Sequence, residues 1–266
     1  MKPSPTAAEL KGQRLFLFLC GLFLTNALIA EIIGAKIFSV ETLLGWQPAQ
    51  IPIAGQLLDF NMSAGVLNWP IVFITSDLIN EYFGRRGVRR ISFLTAGFIV
   101  YMFGTIYATT LLPPAQFWLD LNRTDSAGNA FNINEAFSLI FRQGLGIMIG
   151  SITAFLLGQL LDISVFSWLR RRTGSKHIWL RATGSTLFSQ LVDSFVVIGV
   201  AFYIFGNWSI SQVLAVGTVN YLYKGAIAIL TTPLLYVAHY FIDRYLGKEH
   251  AHKMVEEAAT TTFTAV

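Results

Sequence analysis

The chain has 266 residues, of which 54% are hydrophobic and only 13% are charged, and its formal net charge is +4. A soluble domain has about 25% charged residues, so the composition excludes an ordinary soluble enzyme or binding module and indicates a membrane protein. The basic residues stand in short clusters between apolar runs, and the net charge therefore does not indicate a nucleic-acid-binding surface. The single cysteine, Cys20, excludes a disulfide framework and a cysteine-based metal site.

Apolar segments long enough to cross a bilayer recur along the chain, since one crossing needs about 20 residues. We predict an all-α integral membrane protein in which six transmembrane helices form one bundle and one domain. The predicted spans are 14–38, 63–83, 91–112, 144–169, 182–205 and 210–241. The first apolar run is longer than that of a secretory signal peptide, so we expect it to be a retained span.

The segments outside the spans predict the topology. We interpret 1–13 and 244–266 as cytosolic tails, 39–62 as an ordered outer loop with a short hairpin, and 113–135 as a second outer loop. Fifteen of the nineteen lysines and arginines then fall on the side of the two tails. The positive-inside rule therefore places both termini in the cytoplasm.

Two features of the first two spans carry specific expectations. Glu31 and Lys36 come late in the first span, where both side chains could lie at the membrane interface. Pro70 falls inside the second span, so a helix that starts at Ser63 should kink or break near Trp69.

The stretch Trp69–Arg90 begins apolar and ends in an arginine-rich turn, with Asp77, Asn80 and Glu81 between. Asp77, Asn80 and Glu81 are three and four residues apart, which places them on one face of a helix. Asp77 precedes Arg85 by eight residues, so it lies about 12 Å inside the membrane boundary. A carboxylate at that depth costs at least about 2.5 kcal/mol, and this cost favours a functional polar site.

Two later spans repeat a short polar pattern, Q-L-x-D. Gln159 and Asp162 lie in the fourth span, Gln190 and Asp193 lie in the fifth, and Lys224 stands midway along the sixth. A purely structural interpretation is that one ion pair and the amides lock the bundle. Buried ion pairs stabilise a protein poorly, because desolvation of the charges costs free energy. The structural interpretation therefore accounts for one ion pair but not for all of these carboxylates, amides and the lysine, and we favour a polar cavity.

The ligand of such a cavity follows only in part from the residue types. Carboxylates and amides among aromatic rings suit a flat heterocycle with N–H donors, and Trp69 and Phe73 could line the cavity on the Asp77 face. The same groups could instead bind protons or sodium ions. The sequence has no phosphate-binding loop, zinc-binding helix or nucleophile elbow, so we expect no cofactor, no metal and no enzymatic activity.

At these motifs the chain resembles a known family. The stretch W-P-I-V-F-I-T-S-D-L-I-N-E-Y-F-G, residues 69–84, is similar to the F-P-x-x-Y-x-x-x-D-x-x-N-E-x-Y-G signature of the YhhQ/VUT family of queuosine precursor transporters. Further matching residues are Gln159, Asp162, Leu169, Arg170, Thr173, Lys176, Trp179, Leu180, Arg181, Ser185, Thr186, Ser189, Gln190, Asp193, Tyr221, Leu222, Lys224, Thr232, Pro233 and Tyr236. The resemblance covers residues 63–240, with departures at Trp69 and Phe83, where the family has Phe and Tyr.

The resemblance implies an inner-membrane transporter that imports 7-cyano- or 7-aminomethyl-7-deazaguanine, from which queuosine is made in tRNA. It also implies a six-span fold related to the vitamin-binding membrane subunits of uptake systems. We expect the substrate to be bound by Asp77, Asn80, Glu81, Gln159, Asp162, Arg181, Ser185, Gln190, Asp193 and Lys224. Carboxylates would accept the guanine-like N–H groups, the two glutamines would bond the carbonyl or the 7-substituent, and Lys224 would balance the charge.

Three alternatives stay open at this stage. The chain could be the substrate-binding subunit of an ATP-driven uptake system, a membrane enzyme acting on a lipid or a base, or an ion channel. The expected partners are a small deazapurine and the lipid bilayer, without nucleic acid. The packing glycines, among them Gly97 and Gly104, are compatible with a homodimer.

Overall fold

The computed structural model describes residues 6–53, 55–142, 145–173 and 177–260. The helices are α1 Ala7–Ile33, α2 Val40–Leu44, α3 Trp69–Thr110, α4 Gln116–Leu121, α5 Ile133–Phe141, α6 Leu145–Thr173, α7 Ile178–Ile198, α8 Ile210–Leu246 and α9 Lys248–Thr260. The short strands are β1 Ile37–Ser39, β2 Ile51–Ile53, β3 Gln56–Leu58 and β4 Asn61–Ser63. Predicted features at Lys2, Gly144, Lys176 and 261–266 lie outside the described residues.

Five helices of the described chain are long and apolar enough to cross a membrane. They are α1, α3, α6, α7 with its π-helical continuation to Ile204, and α8. The chain is thus an all-α membrane protein, as the composition predicted. Its apolar core lies mainly between α1, α3 and α6, where Phe23, Ile79 and Phe166 are fully buried.

Helix α3 has 42 residues and is interrupted at Gly84, whose φ is 73° and ψ is 175°. Ser76 and Ser92 both donate to the Gln159 side-chain oxygen, at 3.2 Å and 3.5 Å. On a straight helix these two serines would be about 24 Å apart. The two arms of α3 therefore fold back beside each other at Gly84, and they correspond to the predicted second and third spans.

We expect Gly84→Ala to destabilise the protein by about 1–3 kcal/mol, because this backbone conformation is almost confined to glycine. An added Cβ would also lie 3.1 Å from the Ala258 carbonyl oxygen. Gly97→Ala is the matched control, since its Cβ would meet nothing within 4 Å. Unfolding of the two purified variants in the same detergent measures the difference, and equal stability would contradict the role given to Gly84.

Several boundaries differ from the predicted ones. Helix α1 starts at Ala7, inside the predicted tail, because Thr6 and Glu9 form a capping box there, and it ends at Ile33. The break predicted near Trp69 is present. A 3-10 helix covers Ala64–Leu67 and α3 begins only at Trp69, so Pro70 lies in the first turn, where its missing N–H costs nothing.

The segment between α1 and α3 is ordered by two antiparallel strand pairs, β1 with β4 and β2 with β3. The predicted short hairpin is the second of these pairs. Glu41 is buried under the segment, and its carboxylate accepts the backbone N–H groups of Phe60 at 2.7 Å and Ala49 at 3.4 Å. One carboxylate thereby joins chain positions that are far apart in the loop.

The Phe60 N–H, together with the other hydrogen bonds to Glu41, lowers the pKa of this carboxyl below its ordinary value of 4.5. The stabilisation that Glu41 gives the loop is therefore fully present above pH 4.5 and is lost as the pH falls through the lower, folded-state value. We expect the protection factor of the Phe60 amide, which compares its exchange rate with that of an unfolded amide at the same pH, to fall on acidification. Glu41→Gln should show a low protection factor already at neutral pH and little further change with pH.

The C-terminal part of the chain is helical where the structure describes it, whereas a polar tail was predicted. Helix α8 continues to Leu246, and α9 packs back on the bundle with Ala251 and Ala258 buried. Ala258 lies against Gly84, and the Val255 carbonyl accepts a hydrogen bond from Arg170 at 2.5 Å. Small residues on one face of α9 thus cover the turn between the two arms of α3.

Candidate functional site

The first arm of α3, together with α6, α7 and α8, lines a narrow, partly open cleft with a cavity volume of about 20 Å³, called the central cleft below. Its lining residues are Trp69, Phe73, Phe155, Gly158, Gln159, Ser189, Gln190, Asp193 and Lys224. Four of these were predicted from the polar pattern of the spans: Gln159, Gln190, Asp193 and Lys224. The two Q-L-x-D motifs meet here because α6 and α7 pack against each other.

The charged end of the central cleft is an ion pair between Asp193 and Lys224, with oxygen and nitrogen 2.5 Å apart. The two side chains are 19% and 20% exposed, so the pair is sheltered but open to the cleft. Gly158 faces Asp193, since a Cβ there would lie 3.7 Å from the Asp193 Cβ. The pair is therefore accessible to a ligand that enters the cleft.

Aromatic rings form another wall of the central cleft. Trp69 stacks on Phe73 with ring centroids 5.9 Å apart and an interplanar angle of 21°, and Phe155 lies 6.0 Å from Trp69. Gln159 and Gln190 are both buried, at 4% and 3% exposure. A flat polar ligand would find π surfaces and amide groups in the same cleft.

A second group of predicted residues does not reach the central cleft. Glu81 accepts from Arg181 at 2.8 Å and lies 3.8 Å from Arg170, and all three side chains are buried. We call these three residues the Glu81 network. Arg170 also donates to the backbone carbonyls of Asn80 and Glu81, each at 3.2 Å. Arg170 and Arg181 were predicted in a basic loop, but the buried carboxylate of Glu81 draws both inside the bundle.

Asp77, Asp162 and Ser185 belong to neither of these two groups. Asp162 accepts from Thr186 at 3.4 Å and from Ser189 at 3.5 Å, while Ser185 donates to the backbone of α7. In the described part of the chain, the Asp77 Oδ1 atom is buried without a hydrogen-bond partner. Asp77 also borders a second cleft, which shares Phe73 with the central cleft.

Two buried polar clusters were not predicted from the sequence. Glu31 is buried rather than interfacial, and Ser151 donates to its Oε2 atom at 2.5 Å. Tyr82 donates to Asp243 at 2.6 Å and lies 2.8 Å from the His239 Nδ1 atom. The only local signal for the second cluster is that the histidine and the aspartate are four residues apart on α8. For Glu31, no pattern in the first span distinguishes a buried carboxylate from an interfacial one.

Comparisons with known proteins show the family of the chain. A family model described as "Putative vitamin uptake transporter" matches residues 63–238. A Bacillus subtilis protein named "Probable queuosine precursor transporter" is 28% identical over 184 residues, which cover 69% of this chain and 74% of the relative. A Haemophilus influenzae protein with the same name is 31% identical over 173 residues, covering 64% of this chain and 65% of the relative.

The Escherichia coli protein named "Queuosine precursor transporter" is 28% identical over 157 residues, covering 58% of this chain and 60% of the relative. No solved structure matches this chain significantly. All the residues that line the central cleft, and those of the Glu81 network, fall inside the segment that the family model matches.

Proposed function

Because this chain belongs to the vitamin uptake transporter family, we propose that it imports queuosine precursors, the bases 7-cyano-7-deazaguanine and 7-aminomethyl-7-deazaguanine. The chain is a multi-pass membrane transporter, in bacteria of the inner membrane, and not an enzyme. The observation that carries the proposal is the central cleft, where aromatic rings, two amides and an ion pair surround one space.

The proposed binding mode uses the two walls of the cleft differently. The flat base stacks on the rings of Trp69 and Phe73, which provide apolar contact but no hydrogen bonds. The Asp193 carboxylate accepts the ring N–H and the exocyclic amine of the guanine-like edge, while Gln159 and Gln190 bond the carbonyl or the 7-substituent. Hydrogen bonds to a charged group contribute about 1.5–3 kcal/mol each, which makes Asp193 the main anchor.

The remaining predicted residues receive supporting roles in this proposal. Asp77 and Asp162 are buried polar groups next to the cleft that could meet the base after a rearrangement of the helices. Glu81 on α3 and Arg181 on α7 form an ion pair with each other, and this pair holds the two helices together. Direct contact of Asn80 and Ser185 with the substrate stays a prediction.

We also propose six crossings with both termini in the cytoplasm. The folded-back arms of α3 support this count, since each arm can cross the membrane on its own path. The turn between them carries Arg85, Arg86, Arg89 and Arg90, as the positive-inside rule requires of a cytosolic turn. A relation of the fold to vitamin-binding subunits stays a prediction.

The test is the queuosine content of tRNA from cells that cannot make the precursor, fed a low concentration of 7-cyano-7-deazaguanine with and without this protein. We expect queuosine only when the protein is present. Absence of queuosine despite confirmed membrane insertion would contradict the proposal. Uptake by the purified protein in liposomes without ATP then separates a self-sufficient transporter from a subunit that needs an ATP-hydrolysing partner.

A further inference from the structure

Glu31 lies beside the central cleft although it does not belong to the predicted site. Its partner Ser151 precedes Phe155 by four residues and Gln159 by eight on α6, so the three share one face of that helix. Phe155 and Gln159 line the central cleft. The hydrogen bond from Ser151 therefore fixes the Glu31 carboxyl about one helical turn from the wall of the cleft.

The charges around this position do not balance. Glu31 is 7% exposed, and in the described part of the chain no basic side chain lies within ion-pair distance of its carboxyl group. Lys224, the ammonium group that lines the central cleft, is already bonded to Asp193 at 2.5 Å. A buried carboxylate without a matching cation is unfavourable in a membrane protein, and a cationic ligand would supply the missing charge.

We propose that Glu31 is a specificity-determining residue that makes the central cleft prefer a base with a protonated amine over its neutral analogue. This inference rests on the proposed function and narrows its substrate class. Of the two bases, the 7-aminomethyl compound carries an alkylamine, which is protonated at neutral pH as the lysine side chain is. The 7-cyano compound is neutral at that position and gains nothing from a second carboxylate.

The segment that the family model matches begins at residue 63, so Glu31 lies outside it. Its position in the fold and the charges at the cleft, and not the family signature, single out Glu31. Asp193 cannot supply the same preference, because its own charge is matched by Lys224.

The experiment measures uptake of the two radiolabelled bases by liposomes that contain the full-length protein, its Glu31→Gln variant or its Glu135→Gln variant. Glu135 is an exposed glutamate of α5 and serves as the matched control. We expect the native protein to prefer the aminomethyl base. Glu31→Gln should lower the uptake of that base by about tenfold and change that of the cyano base by less than about twofold. Glu135→Gln should change neither.

The ratio of the two uptake rates separates the proposed role from a structural one. A merely structural Glu31 would lower both rates equally when it is replaced, and that result would overturn the inference while leaving the proposed function in place. Preference of the native protein for the neutral base would overturn it as well. If the native protein imports neither base, the proposed function fails first, and the inference falls with it.

Discussion

Asp193→Asn is expected to lower uptake of the base by about a hundredfold while the protein still folds and inserts. The amide has the size of the carboxylate but loses its charge, and one of its two heteroatoms becomes a donor. Donors of the base would then face a donor, and the Lys224 ammonium would lose the partner that lies 2.5 Å away. Loss of one or two charge-assisted hydrogen bonds, about 1.5–3 kcal/mol each, accounts for a factor of this size.

The measurement is initial uptake of labelled base into cells, divided by the amount of protein in the membrane. Asp120→Asn is the matched control, because Asp120 pairs with Arg123 on an exposed surface and should tolerate the change. A double variant, Asp193→Asn with Lys224→Met, removes the unmatched ammonium and should regain stability but not uptake. Normal uptake by Asp193→Asn would remove Asp193 from the site.

The burial of three polar residues of the second span could be predicted from local spacing alone. Asp77, Asn80 and Glu81 were placed on one face of a helix, and all three are buried. Their partners could not be identified in this way, because Glu81 meets Arg181 across 100 residues of sequence. Spacing along a helix predicts which groups share a face, but it does not predict which groups on other helices satisfy them.

The chain is interrupted near both ends of the first arm of α3. The break expected near Trp69 is present, and α3 starts there because the first turn of a helix does not need the N–H that Pro70 lacks. The reversal was expected over 84–90, between the second and third spans, but the sequence pattern did not single out Gly84. Its role follows from the reversal of the chain, which requires a positive φ that glycine adopts without strain.

The second substitution removes a partner that is distant in sequence, the arginine that pairs with Glu81. Arg181→Met is expected to destabilise the protein by about 3–5 kcal/mol, because it leaves the Glu81 carboxylate buried without its partner at 2.8 Å. Arg170, 3.8 Å from Glu81, can compensate only in part, since it is held by three backbone carbonyls. The free energy of unfolding in detergent measures this loss.

The decisive comparison is the double variant Arg181→Met with Glu81→Gln, which removes both charges together. It should recover most of the lost stability, because replacing a buried pair costs far less than breaking it. A double variant no more stable than Arg181→Met would show that the packing of Arg181 against Phe166, and not its charge, holds the bundle. Uptake per folded molecule should be nearly normal in the double variant, whereas Asp193→Asn should stay inactive however stable it is. The two pairs would then separate into one that holds the helices together and one that binds the ligand.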